Sequence, residues 1–240
     1  MRVAIVSDIH GNLTALEAVL RDLRETAPDV VLHGGDLAHG GSGPAEVVDR
    51  VRELGWRGVV GNTDEMLFAP ESLTEFAGQS GAALQPLFGA IGEMAAVTRE
   101  LLGEERIEWL RGLPRSLIEG PMALVHASPE SLWRAPAAEA DDAELERVYG
   151  PLGRPVAVYA HIHCPFVRSV AGMVVANTGS ASLSHDGDYR AAYLLLDGME
   201  ATIRRVEYDL EGELKGLAEG GIPHADWIAR TLKAARPQML

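Results

Sequence analysis

Three short apolar runs alternate with amphipathic stretches in the first 65 residues, and this alternation constrains the fold more than any other feature. The runs are VAIVSD (3–8), VVLHGGD (30–36) and RGVVGN (57–62), and each ends in a polar residue. Leucines at near-helical spacing follow the first run, and a second helical segment extends from about Pro44 to Leu54. β-Branched runs that alternate with helices predict βαβ units and a sheet with parallel strands.

The remainder of the chain predicts a helical middle followed by more strands. Residues 64–113 are mostly helical in pattern, and a hairpin with Gly120-Pro121 at its turn comes next. Further strands are predicted at 156–161, 166–170, 173–179, 191–197 and 201–208. The tail from about residue 210 is predicted to be helical and peripheral, and no internal repeat is present. We therefore expect a single domain over residues 1–240.

The composition of the chain excludes several kinds of site and of binding partner. The single cysteine, Cys164, excludes an internal disulfide and a thiolate-rich zinc site. No apolar stretch reaches the roughly 18 residues of a membrane span, and the first residues do not form a signal peptide. These features predict a cytoplasmic protein without a membrane partner. The formal net charge of −14 argues against polymeric nucleic acid as a partner, because such binding needs clustered basic residues.

Metal-ligand residue types follow five of the predicted strands. They are Asp8, His10 and Asn12 after the first, Asp36 after the second, Asn62 and Asp64 after the third, His126 after the hairpin, and His161 and His163 in YAHIHCP. Ligands in open α/β sheets collect beyond the carboxyl ends of the strands, which is where these residues are predicted to lie. Taken singly, each is more typical of a helix cap, a turn or a hydrogen-bonded core side chain.

The joint pattern favours metal binding. Oxygen and imidazole donors without sulfur suit divalent Mn, Fe, Co, Ni or Zn. So many donors exceed the needs of one ordinary ion and fit two ions that share a carboxylate. Among the other histidines, His33 is predicted to be structural, and His185 and His224 are predicted to be exposed.

The five blocks resemble those of the calcineurin-like metallophosphoesterases, which read D-x-H, G-D, G-N, H and G-H-x-H. Order and spacing agree across residues 8–163, and NTGSASLSHDGDYRAAYLLLD (177–197) is similar to the small prokaryotic branch that includes diadenosine tetraphosphatase-like enzymes. The resemblance implies an α/β fold, a four-layer α-β-β-α sandwich of two mixed sheets flanked by helices.

The resemblance also implies roles for seven residues. Asp8, His10 and His163 would hold the first metal, and Asn62, His126 and His161 the second, with Asp36 bridging the two. A hydroxide between the ions would attack phosphorus in line. The implied activity is hydrolysis of a small phosphodiester, a nucleotide or a dinucleoside polyphosphate. A phosphomonoesterase or phosphoprotein phosphatase, and a non-catalytic scaffold of the same fold, are the alternatives.

This chain departs from the phosphoprotein phosphatases of the superfamily at two places. The segment after Asp36 lacks their phosphate-binding arginine, and Thr63 stands where G-N-H has a histidine that protonates the leaving group. Help to the leaving group would then come from His39, from Asp64, from a metal-bound water or from a substrate with a good leaving group, and His39 is our candidate for the catalytic acid. Asn12, Asp64 and Arg190 are candidate substrate contacts. Asp64 is equally consistent with orienting a metal ligand, and for Arg190 a structural ion pair is the favoured interpretation.

Overall fold

The computed structural model describes all 240 residues and contains ten strands. They are β1 (Arg2–Val6), β2 (Val30–His33), β3 (Arg57–Gly58), β4 (Ser116–Glu119), β5 (Met122–Val125), β6 (Val156–Tyr159), β7 (Phe166–Val170), β8 (Met173–Asn177), β9 (Ala191–Asp197) and β10 (Glu200–Val206). One mixed sheet has the order β10-β9-β1-β2-β3, and the other has the order β4-β5-β6-β8-β7. The predicted parallel pairing is confirmed, because β1, β2 and β3 run parallel.

Eight α-helices surround the sheets. They are α1 (Leu13–Thr26), α2 (Pro44–Glu53), α3 (Asn62–Phe68), α4 (Glu71–Gly78), α5 (Gln85–Arg111), α6 (Asp142–Tyr149), α7 (Leu210–Glu219) and α8 (Ala225–Ala234). Within α5, Gly103 has a non-helical backbone with φ 67° and ψ 168°, so the helix is interrupted there. None of the helices combines the length and the apolar character that a membrane crossing requires.

Alternating side chains on the strands build four layers. In β1, Val3 and Ile5 belong to an apolar cluster between the two sheets, whereas Ala4 and Val6 pack with residues of α1, α2 and α5. On the second sheet, alternate β6 residues face the inter-sheet cluster and a cluster that contains Leu145 of α6. The predicted helix–sheet–sheet–helix sandwich is therefore confirmed, and its core follows from the two-residue period of the strands.

The third predicted strand is much shorter than expected. The predicted strand spans 57–62, but β3 contains only Arg57 and Gly58. The backbone N–H of Val59 donates to His33 O at 3.1 Å, and the N–H of Val60 then donates to Pro114 O at 2.9 Å. The chain thus leaves the sheet edge at Val60 and turns into α3, which starts at Asn62.

The helical tail is present, but its second helix is not peripheral. Ile228 and Leu232 of α8 are buried with Met94 of α5 and with Leu183, which follows β8. Apolar residues four positions apart place one face of α8 against the rest of the molecule. This packing brings α8 to the edge of the sheets at which β1 and β2 end.

Candidate metal centre

Seven of the predicted site residues lie together at one edge of the two sheets. Six are buried and His161 is half-buried; they are Asp8, His10, Asp36, Asn62, His126, His161 and His163. The first sheet supplies the first four, and the second sheet supplies the three histidines that follow β5 and β6. The parallel strands end at the same edge, and this explains why residues distant in sequence converge.

The backbone at this edge is unusual for residues other than glycine. Asp8, His10, Asp36, His161 and His163 have φ values of 50°, 51°, 55°, 69° and 57°. A left-handed backbone costs an L-residue roughly 1–2 kcal/mol, and such conformations cluster at functional sites. These five residues each turn the chain sharply, just past a strand end, so that their side chains point back across the edge.

One group of donors contains Asp8, His10, Asp36 and His163. One ligand atom from each lies within 4.8 Å of the other three. Nε2 of His10 is 3.2 Å from Nε2 of His163 and 3.8 Å from Oδ2 of Asp36. Nε2 of His163 is 3.2 Å from Oδ1 of Asp8. The spacing matches one cation-sized site.

A second group of donors lies on the other side of Asp36. Oδ1 of Asn62 is 2.9 Å from Nε2 of His126 and 2.8 Å from Nδ1 of His161. Nε2 of His126 is 3.5 Å from Oδ1 of Asp36. Asp36 therefore directs one carboxylate oxygen towards each group of donors.

The protonation of the rings fits a bound cation. In three rings Nδ1 lies at hydrogen-bond distance from a backbone carbonyl oxygen: His10 with His39 (2.7 Å), His126 with Gly34 (2.7 Å) and His163 with Leu183 (2.6 Å). A carbonyl can only accept, so Nδ1 of each ring carries a proton, and Nε2 is the nitrogen left to face the site and a cation. Backbone carbonyls are common partners of metal-bound histidines.

Asp8 gives a second indication of a cation. Its Oδ1 is buried without a hydrogen-bond partner, since the nearby His163 nitrogen does not have hydrogen-bond geometry. Its Oδ2 accepts a hydrogen bond from the Ser7 hydroxyl at 2.5 Å. Burial opposes ionisation, yet the imidazoles, His163 foremost, hold the pKa of Asp8 well below its ordinary value. An orphaned, ionised carboxylate oxygen requires a positive partner.

Asp64 lies beside the candidate ligands and binds backbone N–H groups around them. It is fully buried, and it accepts backbone N–H groups from Asp36 at 2.8 Å, Leu37 at 2.9 Å and Gly61 at 3.1 Å. Burial, and then the charge of Asp36, raise the pKa of Asp64 to about 6. A Cβ atom on Gly61 would lie 2.0 Å from Oδ1 of Asp36, so this close approach requires glycine. The structure thus places the Asp64 carboxylate against the backbone on either side of Asp36 and at Gly61, and its predicted contact with a substrate stays a prediction.

Asn12 and Arg190 are likewise occupied elsewhere. Asn12 is buried and caps α1: its Oδ1 accepts the Ala15 N–H at 2.9 Å, and its Nδ2 donates to Ser182 Oγ at 3.0 Å. Arg190 pairs with Asp188 at 2.6 Å on the surface. Both side chains therefore have contacts within the protein, and their predicted contacts with a substrate stay predictions.

A cavity of about 270 Å³ lies beside the first group of donors, and His10, His39, Thr63 and His163 line its inner end. His39 is buried, and its backbone carbonyl holds the ring of His10. Burial lowers the pKa of His39 to about 3, so the ring is neutral near pH 7. The structure thus places the candidate acid at the site but in its neutral form.

His185 belongs to the site although the sequence pattern predicted an exposed side chain. Its ring packs on that of His163 with centroids 4.6 Å apart, and it lines the same cavity. The prediction was wrong because it weighed only the polar neighbours of His185 in sequence. The useful signal is topological: β8 runs parallel to β6, so the segment after β8 reaches the same edge.

The fold and this buried Asp/His cluster define a metal-dependent phosphoric ester hydrolase. The sequence matches the calcineurin-like phosphoesterase superfamily domain over residues 1–200, and the chain belongs to that superfamily. The family resemblance that the motifs indicated is confirmed, and the non-catalytic alternative is set aside.

Similar proteins span nearly the whole chain. Uncharacterized protein MJ0912 of Methanocaldococcus jannaschii is 28% identical over 257 aligned residues, which cover 98% of both chains. A metallophosphoesterase from Sphaerobacter thermophilus is 27% identical with a TM-score of 0.79, over 98% of this chain and 99% of that one. The hypothetical protein PH1004 from Pyrococcus horikoshii has a TM-score of 0.84 at 19% identity, over 99% of each chain, and supports the fold alone.

Proposed function

We propose that this phosphoesterase hydrolyses a small phosphodiester, a nucleotide or a dinucleoside polyphosphate with two divalent ions bound side by side. The two oxygens of Asp36 carry the proposal: Oδ2 lies 3.8 Å from Nε2 of His10, and Oδ1, which also accepts the Thr63 N–H at 2.9 Å, lies 3.5 Å from Nε2 of His126. A carboxylate shared between two groups of donors is the arrangement by which two-metal hydrolases hold ions about 3.5–4 Å apart.

The proposed ligands divide between the two ions. Asp8, His10, Asp36 and His163 would hold the first, and Asp36, Asn62, His126 and His161 the second. Nitrogen and oxygen donors without thiolate suit Mn, Fe, Co, Ni or Zn. When bound, the ions would lower the pKa of a water and neutralise charge that develops on the phosphoryl oxygens.

The residues around the ligands hold them in place before a substrate arrives. Backbone carbonyl oxygens fix three of the imidazole rings, Ser7 holds Oδ2 of Asp8, and Asp64 holds the backbone of Asp36. Such outer contacts orient metal ligands and tune their basicity. The geometry is therefore rigid where in-line attack on phosphorus requires accurate positioning.

His39 remains part of the proposal in a modified form. Its neutral ring lines the cavity with Thr63, and a neutral imidazole donates a hydrogen bond more readily than it transfers a proton. We propose that the neutral ring of His39 donates a hydrogen bond to an ester oxygen of the substrate. This arrangement favours substrates whose leaving groups need little protonation.

Charge and size support small substrates. The formal net charge of −14 opposes binding of a long polyanion. The cavity of about 270 Å³ beside the ligands is below the roughly 300–1,000 Å³ that a drug-sized ligand occupies. A short ester with one substituent in the cavity fits both observations.

The test combines metal content with a substrate panel. The protein is stripped, reloaded with each of the five metals, and assayed on bis(4-nitrophenyl) phosphate, nucleotides and diadenosine tetraphosphate. We expect two ions per chain by elemental analysis, and a melting temperature that falls when a chelator removes them. Asp36→Asn should bind fewer ions and lose turnover at least about a hundredfold.

The matched control is Asp226→Asn, because Asp226 pairs with Arg230 on the exposed face of α8. This variant should keep both ions and full turnover. Full activity with a single ion per chain, or no turnover by the metal-loaded protein on any substrate, would contradict the proposal.

A further inference from the structure

The cavity beside the first group of donors has an uncharged, largely apolar wall, and metal binding by the Asp and His residues does not explain this wall. Its outer wall is made by Leu87 and Ile91 of α5 and by Trp227 and Ile228 of α8, with Leu183 between them. None of its lining residues is a lysine, an arginine, an aspartate or a glutamate. In a chain with 35 acidic and 21 basic residues, this wall is unusually free of charge.

Two of the residues that line the cavity carry buried polar atoms without a partner. Nδ1 of His39 and Oγ1 of Thr63 are both buried without a hydrogen-bond partner. Buried polar atoms normally find partners, so an unpaired set within a cavity points to a ligand that completes it. Both residues line the cavity beside His10 and His163. A ligand here would meet polar atoms near the metals and apolar side chains further out.

The outer wall is held in place by specific contacts. Trp227 Nε1 donates to Gln238 O at 2.8 Å, and Thr231 Oγ1 donates to Trp227 O at 3.1 Å. His224 at the start of α8 lies 2.8 Å from Glu93 of α5. The pocket therefore has a preformed shape, which lowers the entropy cost of binding.

We infer that this cavity binds one uncharged apolar ring of the substrate, joined through an ester oxygen to the phosphorus at the metal centre. The inference rests on the proposed function and names the substrate class: phosphate esters of an aromatic or similarly flat, uncharged group. A group that carries further phosphates would not enter, because no lysine or arginine lines the cavity to receive them. The ring would contact Ile91 and Trp227, and the ester oxygen would lie near His39 and Thr63.

Two non-hydrolysable ligands test the pocket separately from the metals. Phenylphosphonate and methylphosphonate share the phosphonate group and differ only in the ring. Calorimetry on the metal-loaded protein should give phenylphosphonate an affinity about tenfold or more above that of methylphosphonate, because the ring is buried. Both compounds should inhibit hydrolysis of bis(4-nitrophenyl) phosphate competitively, and their inhibition constants should differ by the same ratio.

A cavity-filling variant and a control on the same helix complete the design. Ile91→Trp should bring the two affinities to within about twofold of each other, since the added ring occupies the space. Leu101→Trp should keep the wild-type ratio, because Leu101 is exposed on α5 and does not line the cavity. Leu87→Phe replaces Ile91→Trp if circular dichroism shows that the latter does not fold.

The outcomes separate the two proposals. If neither phosphonate binds and no ester is hydrolysed, the proposed function fails. If esters are hydrolysed but wild type binds both phosphonates equally, or Ile91→Trp keeps the wild-type ratio, the ring pocket is wrong and the proposed function stands.

Discussion

The carboxylate of Asp64 accepts the backbone N–H of Asp36 at 2.8 Å, so one buried aspartate fixes the main chain of another. The same carboxylate also accepts the N–H groups of Leu37 and Gly61. These bonds join the loop after β2 to the start of α3. The orientation of the Asp36 side chain between the two groups of donors thus depends on a residue that does not itself reach the site.

Replacement of Asp64 by Asn should weaken metal binding while the protein still folds. One amide oxygen can accept the bonds of one carboxylate oxygen, but the amide nitrogen would face an N–H donor. We expect metal affinity to fall about 10- to 100-fold, with a smaller change in the free energy of unfolding of the metal-free protein, because the substitution also removes a buried charge. Metal titration and urea unfolding with and without chelator measure both quantities. Unchanged metal affinity would show that these bonds do not orient Asp36.

The ring of His185 should position His163. His185→Ala removes the packing at 4.6 Å between the two centroids. We expect kcat/KM to fall about 3- to 10-fold, the range that one aromatic pair contributes. Burial, and then the neighbouring His163, lower the pKa of His185 to about 3, so its ring is neutral near pH 7. His185→Phe should therefore restore most of the activity. A Phe variant as impaired as the Ala variant would refute a packing role.

His33 should make the folded protein sensitive to acid. It is fully buried in β2, and neither ring nitrogen has a hydrogen-bond partner. Burial lowers its pKa from 6.5 to about 3. Between these values the unfolded chain binds more protons than the folded protein, so this contribution to stability is lost as the pH falls below 6.5.

The corresponding variant is His33→Leu, which removes the titrating group and leaves no hydrogen bond unmade. Between pH 7.5 and pH 5, wild type should lose about 2 kcal/mol more of its unfolding free energy than the variant. Urea unfolding of the metal-free proteins at both pH values measures this difference. Equal losses in the two proteins would mean that His33 is protonated in the folded state.

The sheet structure was predictable because strand periodicity and the order of apolar runs determine it. The segments that form β1, β2 and β7 to β9 were identified to within a few residues, and the hairpin of β4 and β5 was found from Gly120-Pro121. The length of β3 was not predicted, since Val60 leaves the sheet for a partner, Pro114, that is distant in sequence. Local pattern carries no information about such partners.

The candidate ligands were predictable for a similar reason: residue type and position at strand ends are local properties. The residues that hold the ligands in place were harder to predict from the sequence. Asp64 occurs in GNTD, which is also a common helix start, and only the fold shows that its carboxylate reaches back to Asp36. The α8 wall of the cavity depends on packing of Ile228 against Leu183, and an amphipathic helix does not specify which surface it will cover.

The division of the donors between the two sheets has a consequence for motion. Asp8 and Asp36 follow strands of one sheet, and His126 and His163 follow strands of the other. An ion bound to both would restrain the separation of the sheets at this edge, while the apolar inter-sheet cluster maintains the packing elsewhere. Removal of the ions should therefore speed amide hydrogen exchange in the loops after β1, β2 and β6 more than in the strands themselves.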